Sequence, residues 1–325
     1  MSGTPAKDSP TKDSESRITL IGTGTIGLSF AAFHLAHLAH PSQLTIYDTR
    51  PDVAGYVRAE LPKFFPAQNQ SSSLPVDVSS INIATSLPSA VQNATIVQES
   101  GPENAPFKIK LWAEVEKHAP KDALFWSSTS GIPASHQSAM MEEPSRVLVV
   151  HPYNPPHIMP LLELVPSPET SPEVIQRTKT FWEERGRTPI VLKKEVTGFV
   201  ANRLAFALLR EAVHLVDQGV VSVEEVDQIV QASMGPRWAV AGPFKSYHAG
   251  GGLWGLEGFF SNIGGTVQGC WDELGTPNVG GEWEERICQD AEEAYGEVDT
   301  AERDRVTRRV LQVLEEEKGG KGERE

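Results

Sequence analysis

His151-Pro-Tyr-Asn-Pro155 follows an apolar run, Val147-Leu-Val-Val150, and Glu163 lies twelve residues on in Leu161-Leu-Glu-Leu-Val165. An imidazole near neutrality can take the hydroxyl proton of an alcohol as hydride leaves the adjoining carbon. A carboxylate flanked by leucines is costly to bury alone, and a histidine ring N–H is the partner that offsets the cost. So paired, Glu163 would fix the His151 tautomer and stabilise the imidazolium formed on proton abstraction. Plainer roles remain open: a structural histidine, and an acid facing solvent on an edge strand. Among nine histidines, His151 stands out because it ends an apolar strand pattern, where open α/β sheets place their ligands.

Hydride transfer requires an acceptor, and the N-terminal region carries a site for one. The strand pattern at residues 18–21 runs into Gly22-Thr-Gly-Thr-Ile-Gly27 and then into an apolar helix. Gly22 suits the tight turn, Gly24 lets backbone approach a pyrophosphate, and Gly27 permits close helix–strand packing; the N–H groups of Thr25 and Ile26 face the anion. Asp48 ends the second strand pattern, where a carboxylate accepts hydrogen bonds from ribose hydroxyls and repels a 2′-phosphate, so NAD is the expected cofactor. Arg50, two residues on, is the one nearby feature that favours a phosphate. Gly250-Gly-Gly-Leu-Trp-Gly255 satisfies the same glycine spacing but follows no strand, and is set aside.

Positioning such groups calls for a sheet. Short apolar runs at residues 18–21, 44–47, 81–84, 95–98, 124–126 and 147–150 alternate with amphipathic segments, which predicts a parallel, doubly wound α/β (Rossmann) sheet. Phe107, Leu111 and Val115 mark one covering helix; Ser171-Pro-Glu173 starts another, stopped by Gly186. After Glu195 strand patterns vanish. Leu204, Leu208, Ala212 and Leu215 stripe a long helix ending near Gly219, Ser222-Val-Glu-Glu225 is a capping box for the next, and the glycines from Gly250 to Gly281 read as tight inter-helix turns. The expected organisation is a disordered tail (1–16), a nucleotide-binding domain (17–194), an all-α domain (195–317) and a charged tail (318–325).

A chain of 325 residues fits two domains, because single cores stop growing near ~250–300 residues. Twenty-nine basic against 43 acidic residues give a formal net charge of −14, which opposes binding to nucleic acid or anionic membranes. Cys270 and Cys288 form no CxxC pair, so neither a disulfide framework nor a metal site is indicated, and the Asn69 and Asn93 glycosylation sequons read as accidental. The polar N-terminus lacks the apolar core of a secretory leader and no run of about 18 apolar residues occurs, so the cytoplasm is expected.

Taken in order, Gly22-Thr-Gly-Thr-Ile-Gly27, Ser127-Ser-Thr-Ser130, His151-Pro-Tyr-Asn-Pro155, Leu162-Glu-Leu-Val165 and Gly198-Phe-Val-Ala-Asn-Arg-Leu204 resemble the 3-hydroxyacyl-CoA dehydrogenase family, over most of the chain. The resemblance implies that His151 is the base and Glu163 its partner, that Ser130 and Asn202 hydrogen-bond the substrate oxygen, and that Glu103 and Lys108 sit beside the cofactor. On the residues alone, Ser130 ends a strand pattern and Asn202 starts a helix, positions that fit an interdomain cleft or simple caps equally. Gly235-Pro-Arg-Trp-Ala-Val-Ala-Gly-Pro243 is similar to the lambda-crystallin and L-gulonate 3-dehydrogenase branch and also to carnitine dehydrogenase, which act on small free acids. Arg237 is then a candidate carboxylate clamp, or a structural ion pair. The segment between Asp48 and Glu103 is shorter than in acyl-CoA enzymes and offers only Arg50, Arg58 and Lys63, then the loop-like residues 71–75. A small 3-hydroxy acid is therefore favoured over a CoA thioester. Open alternatives are the thioester activity, a 3-oxo reductase of a specialised biosynthetic pathway, and a non-catalytic NAD-binding structural protein. The resemblance also implies a homodimer.

Overall fold

The computed structural model of the protein describes residues 13–65 and 78–319. Most of the expected N-terminal tail, the Asn69 sequon, residues 71–75 and residues 320–325 of the charged tail lie outside these. The chain divides into two compact units, Met1–Ala201 and Asn202–Glu325.

In the first unit, strands β1 (Ile18–Ile21), β2 (Leu44–Tyr47), β3 (Asn82–Ile83), β4 (Ile96–Glu99), β5 (Leu124–Ser127), β6 (Val147–Pro152), β7 (Leu161–Pro166) and β8 (Thr188–Val191) form one sheet of order β3-β2-β1-β4-β5-β6-β7-β8. Helices α1 (Thr25–His37), α2 (Val53–Glu60), α3 (Leu87–Val91), α4 (Ala105–His118), α5 (Ala134–Gln137) and α6 (Pro172–Glu183) connect them. Strands covered on both faces read as continuous apolar runs, and their side chains alternate between two cores. Leu124 and Trp126 of β5 join Leu148, Val150, Phe30 and Trp182 on one face. Phe125 joins Val147, Val149, Val97 and Trp112 on the other. Helix starts follow their caps: Asn104 Oδ1 accepts from Phe107 N at 2.9 Å and Ser171 Oγ from Val174 N at 3.1 Å, each with proline in the first turn.

The fold departs from the sequence expectation in four places besides β8, which no apolar run announced. The sheet is not wholly parallel, because β7 runs antiparallel to β6. β6 extends two residues beyond Val150, so His151 belongs to the strand itself. Residues 13–16, assigned to the tail, are anchored: Asp13 pairs with Arg185, forms a bridge with Leu38, and receives the Glu15 and Ser16 N–H groups. The fourth departure lies in the second unit.

That unit comprises α7 (Ala201–Asp217, entered from the first unit's last residue), α8 (Val223–Ala232), α9 (Met234–Val240), α10 (Pro243–Gly250), α11 (Gly255–Glu273), α12 (Trp283–Tyr295) and α13 (Thr300–Gly319). The Ser222 capping box is present, its hydroxyl accepting from Glu225 N at 3.2 Å. Of the glycines expected to form turns, Gly251, Gly252, Gly280 and Gly281 do lie between helices, whereas Gly258, Gly264, Gly265 and Gly269 lie inside α11. Gly258 explains itself by close approach, since a Cβ there would meet the Gly251 carbonyl oxygen at 2.6 Å. Among the described residues no helix is long and apolar enough to cross a membrane.

One buried polar group makes the first unit acid-sensitive. His34, on α1, is 1% exposed among Phe30, Phe33, Phe181 and Trp182, and its Nε2 lies 2.8 Å from Gln98 Oε1. Burial disfavours the charged ring and pulls its pKa down to about 3. Below pH ~6.5 the unfolded chain takes up a proton that the folded protein refuses, so stability falls as pH drops from about 6.5 toward 3. We expect the loss to steepen toward about 1.4 kcal/mol per pH unit below the unfolded pKa. Denaturant unfolding at pH 7, 6 and 5 should show this slope in the wild type and a flatter one in His34→Gln; equal slopes would remove His34 as the cause.

Candidate active site

The sequence-selected residues of the first unit converge on one edge of the sheet, where the parallel strands end. Gly22 follows β1, Asp48 follows β2, Glu103 lies four residues past β4, Ser130 lies three residues past β5, and His151 sits near the end of β6. Ligands of open α/β sheets bind at this edge.

His151 and Glu163 face each other directly in the β6–β7 register. Both are buried, at 4% and 2% exposure, and His151 Nδ1 lies 2.9 Å from Glu163 Oε2. The other carboxylate oxygen accepts from Val200 N at 2.8 Å and Ala201 N at 3.0 Å, just where α7 begins. Burial works against ionised Glu163, but hydrogen bonds from His151, Ala201 and Val200 outweigh it and hold the carboxyl below its ordinary pKa. An acceptor at Nδ1 selects the tautomer with the proton there and leaves the Nε2 lone pair free. Phe199, fully buried at φ 51°, packs its ring 5.1 Å from the imidazole. A left-handed backbone is unfavourable for a phenylalanine, and the flanking contacts hold it there.

The glycine turn has the shape the fingerprint requires. Gly22 has φ +99°, and a Cβ on it would strike the Ser100 carbonyl oxygen at 2.7 Å. A Cβ on Gly27 would lie 2.0 Å from the Gly22 oxygen, whereas around Gly24 there is nothing within 4 Å. Gly24 precedes α1 without a side-chain cap, so the first helical N–H groups, those of Thr25 and Ile26, have no cap side chain as acceptor. Asp48 Oδ2 accepts from Thr23 N at 2.7 Å and Thr23 Oγ1 at 2.6 Å, and Oδ1 from Arg50 N at 2.9 Å. Partial burial opposes its ionisation, but these donors prevail and keep its pKa below the usual carboxylate value. The Arg50 guanidinium stacks 3.5 Å over the Tyr56 ring. An open anion-binding helix start beside an ionised acid at the second strand end fits the pyrophosphate and ribose of NAD.

Beyond β4, Glu103 Oε1 accepts from Thr129 Oγ1 at 2.5 Å and from Ser130 N and Gly131 N at 3.0 Å each, tying the Ser130 loop to the preceding one. Lys108 is 1% exposed and its Nζ lies 2.6 Å from Glu99, with Glu103 at 3.9 Å. The second unit carries the remaining candidates: Asn202 is the second residue of α7, and Arg237 is exposed on α9.

Comparison with known proteins gives this edge its chemistry. Residues 17–196 match the NAD-binding domain of 3-hydroxyacyl-CoA dehydrogenase, and residues 198–274 match its C-terminal domain. The chain belongs to the 3-hydroxyacyl-CoA dehydrogenase family. It is 33% identical to an L-carnitine dehydrogenase of Pseudomonas putida over 303 residues, 93% of this chain and 94% of the relative. It is likewise 33% identical to one from Streptomyces griseus, over 91% of this chain and 89% of that protein. Among solved structures it is similar to 5-formyl-3-hydroxy-2-methylpyridine 4-carboxylic acid 5-dehydrogenase, described as an NAD+-dependent dismutase, with TM-score 0.74, 27% identity and coverage of 92% and 98%. A 3-hydroxyacyl-CoA dehydrogenase from Archaeoglobus fulgidus shares the fold, with TM-score 0.65, 24% identity and coverage of 93% and 98%.

This member of the family is thus an NAD-dependent oxidoreductase acting on a CH–OH group. Sequence reasoning passed over several residues that build its site. Thr23 was visible only as a spacer in the fingerprint, Phe199 only as part of a motif, and Glu99 only as the strand end before Glu103. The Glu99 signal was an acid closing an apolar run, a weaker mark than the leucines on both sides of Glu163.

The glycine geometry separates fold from cofactor binding. Gly24→Val should leave the melting temperature within a few degrees of wild type and weaken NAD binding, followed by calorimetric titration, at least about tenfold (a loss near 1.4 kcal/mol). Gly27→Ala should instead lower the melting temperature, because its Cβ meets backbone that cannot move aside. Equal NAD affinity in Gly24→Val and wild type would argue against pyrophosphate at this turn.

Proposed function

We propose that this dehydrogenase oxidises the 3-hydroxyl of a small free hydroxy acid to the 3-oxo acid, with L-carnitine first and L-gulonate second among candidate substrates. The observation that carries the reading is the buried 2.9 Å contact between His151 Nδ1 and Glu163 at the carboxyl edge of the sheet. When bound, NAD accepts the hydride released from the carbinol carbon. Glu163 holds the His151 Nδ1 proton, so Nε2 takes the hydroxyl proton, and the adjacent carboxylate stabilises the resulting imidazolium. Ser130 and Asn202 are assigned to hydrogen-bond the substrate oxygen, Glu103 and Lys108 to the cofactor side, and Arg237 to the substrate carboxylate.

Two observations favour a free acid over a thioester. Between Asp48 and Glu103 the only basic residues are Arg50, Arg58 and Lys63. Of these, Arg50 is stacked on Tyr56 and Lys63 is paired with Glu60 at 2.7 Å, so little positive charge is left for CoA phosphates. The relatives' names point the same way, and L-carnitine is itself a 3-hydroxy acid. We also propose a homodimer. Leu204, Phe206, Leu209 and Ile229 of the second unit are 50–62% exposed, a density of apolar surface that marks an interaction face.

His151→Asn should cut turnover by roughly 10²–10⁴-fold while NAD affinity stays within about twofold. Glu163→Gln should lose activity too, because one amide cannot accept from both His151 and the two backbone N–H groups without setting donor against donor. Turnover of His151→Asn near the wild-type rate would end the base assignment.

For substrate class, NADH absorbance should be followed with L-carnitine, L-gulonate, 3-hydroxybutyrate and 3-hydroxybutyryl-CoA. At least one free acid should exceed the thioester in kcat/KM by tenfold or more; the reverse order would restore the CoA activity.

A further inference from the structure

Among the described residues Glu99 is the most enclosed acid of the first unit, with 0% exposure, and its carboxylate receives four contacts. Lys108 Nζ reaches both oxygens, at 2.6 and 2.7 Å. Gly101 N donates to Oε1 at 2.6 Å and Ser127 Oγ to Oε2 at 2.8 Å. These donors come from the loop after β4, from the end of β5 and from α4, so one carboxylate joins three elements. The joint lies next to the cofactor turn: Glu99 is level with Ile21 in the sheet, and the Ser100 backbone walls Gly22.

A buried ion pair of this kind is a poor device for stability alone, since apolar residues of similar volume often serve as well or better. Its geometry leads to the Ser130 loop. The Gly101 N–H bond fixes the loop that carries Glu103, and the Lys108 Nζ held by Glu99 lies 3.9 Å from Glu103 Oε2. The other Glu103 oxygen holds Thr129 Oγ1, Ser130 N and Gly131 N. Charge and hydrogen bonds therefore run from Glu99 through Lys108 to Glu103 and on to the Ser130 backbone.

We propose that Glu99 is a positioning residue for the Ser130 loop, acting through the contact of its Lys108 partner with Glu103. The proposal rests on the assignment of Ser130 to the substrate oxygen only for its kinetic consequence; the placement of the loop itself is read without substrate.

The test is a variant set on the full chain with NAD bound. Glu99→Gln strands the Lys108 charge and should lower the melting temperature. The double variant Glu99→Gln, Lys108→Met removes both charges and should recover most of that loss. Amide hydrogen exchange at Ser130 and Gly131 should nevertheless be at least tenfold faster in the double variant than in wild type, and kcat for the best hydroxy acid at saturating NAD should fall tenfold or more. Glu99→Asp, which keeps the charge, should restore part of the protection and of kcat.

Wild-type exchange at Ser130 and Gly131 in a double variant of restored stability would overturn the proposal, leaving Glu99 as a core ion pair. If the double variant does not fold, the single variant Glu99→Gln, kept at a temperature where it stays folded, decides: wild-type exchange at Ser130 and Gly131 would overturn the proposal, and faster exchange at these two amides than elsewhere in the first unit would support it. Exchange needs no turnover, so this outcome is separable from failure of the proposed substrate.

Discussion

The site is organised around a carboxylate that cannot be left unpaired. Glu163 lies in a strand covered on both faces, where an isolated charge costs several kcal/mol. Its two oxygens are satisfied from opposite sides, by the His151 ring and by the N–H groups of Val200 and Ala201. One acid thereby sets the imidazole tautomer and pins the backbone at the start of α7. The arrangement depends on β7 running antiparallel to β6, because only a hairpin return over residues 153–160 brings residue 163 level with residue 151. A parallel strand would have needed a crossover of a dozen or more residues, longer than the chain provides here.

The same dependence marks what could be read in advance. The glycine fingerprint, Asp48 and the His151–Glu163 pair were legible because each is a local pattern with a steric or electrostatic reason behind every residue. The direction of β7 was not, since an apolar run reads the same either way along a sheet. β8 was hidden by Pro189, which demotes a strand in sequence but is tolerated at an edge, the place β8 occupies. The glycines of α11 were misread as turns because a glycine needed for close helix approach, as Gly258 is against Gly251, looks the same as one needed for φ above zero. Glu99 and Phe199 owe their importance to full burial, and burial of a single side chain is a tertiary property that no local spacing encodes.

Backbone donors hold several of the first unit's acids, two of them fully buried. Asp48, Glu99, Glu103, Glu163 and Glu195 all end in hydrogen bonds from backbone N–H groups, with Glu195 holding Ser135 N at 2.9 Å. Backbone donors are rigid and neutral, so they satisfy the oxygens without supplying a counter-charge. Of the five, Glu99 and Glu103 share one lysine, and Glu163 has only a histidine. Glu163, at 2% exposure, therefore keeps its negative charge in a region of restricted solvent, where such charge acts over several ångströms. A pyrophosphate is shielded from it at the start of α1, whose own dipole is positive. A positive charge on the His151 ring would be favoured by it, because among the described residues His151 is the ionic partner of Glu163. The acids that hold the loops and the acid that holds the His151 ring thus use the same device, in which folding the site also fixes the imidazole tautomer.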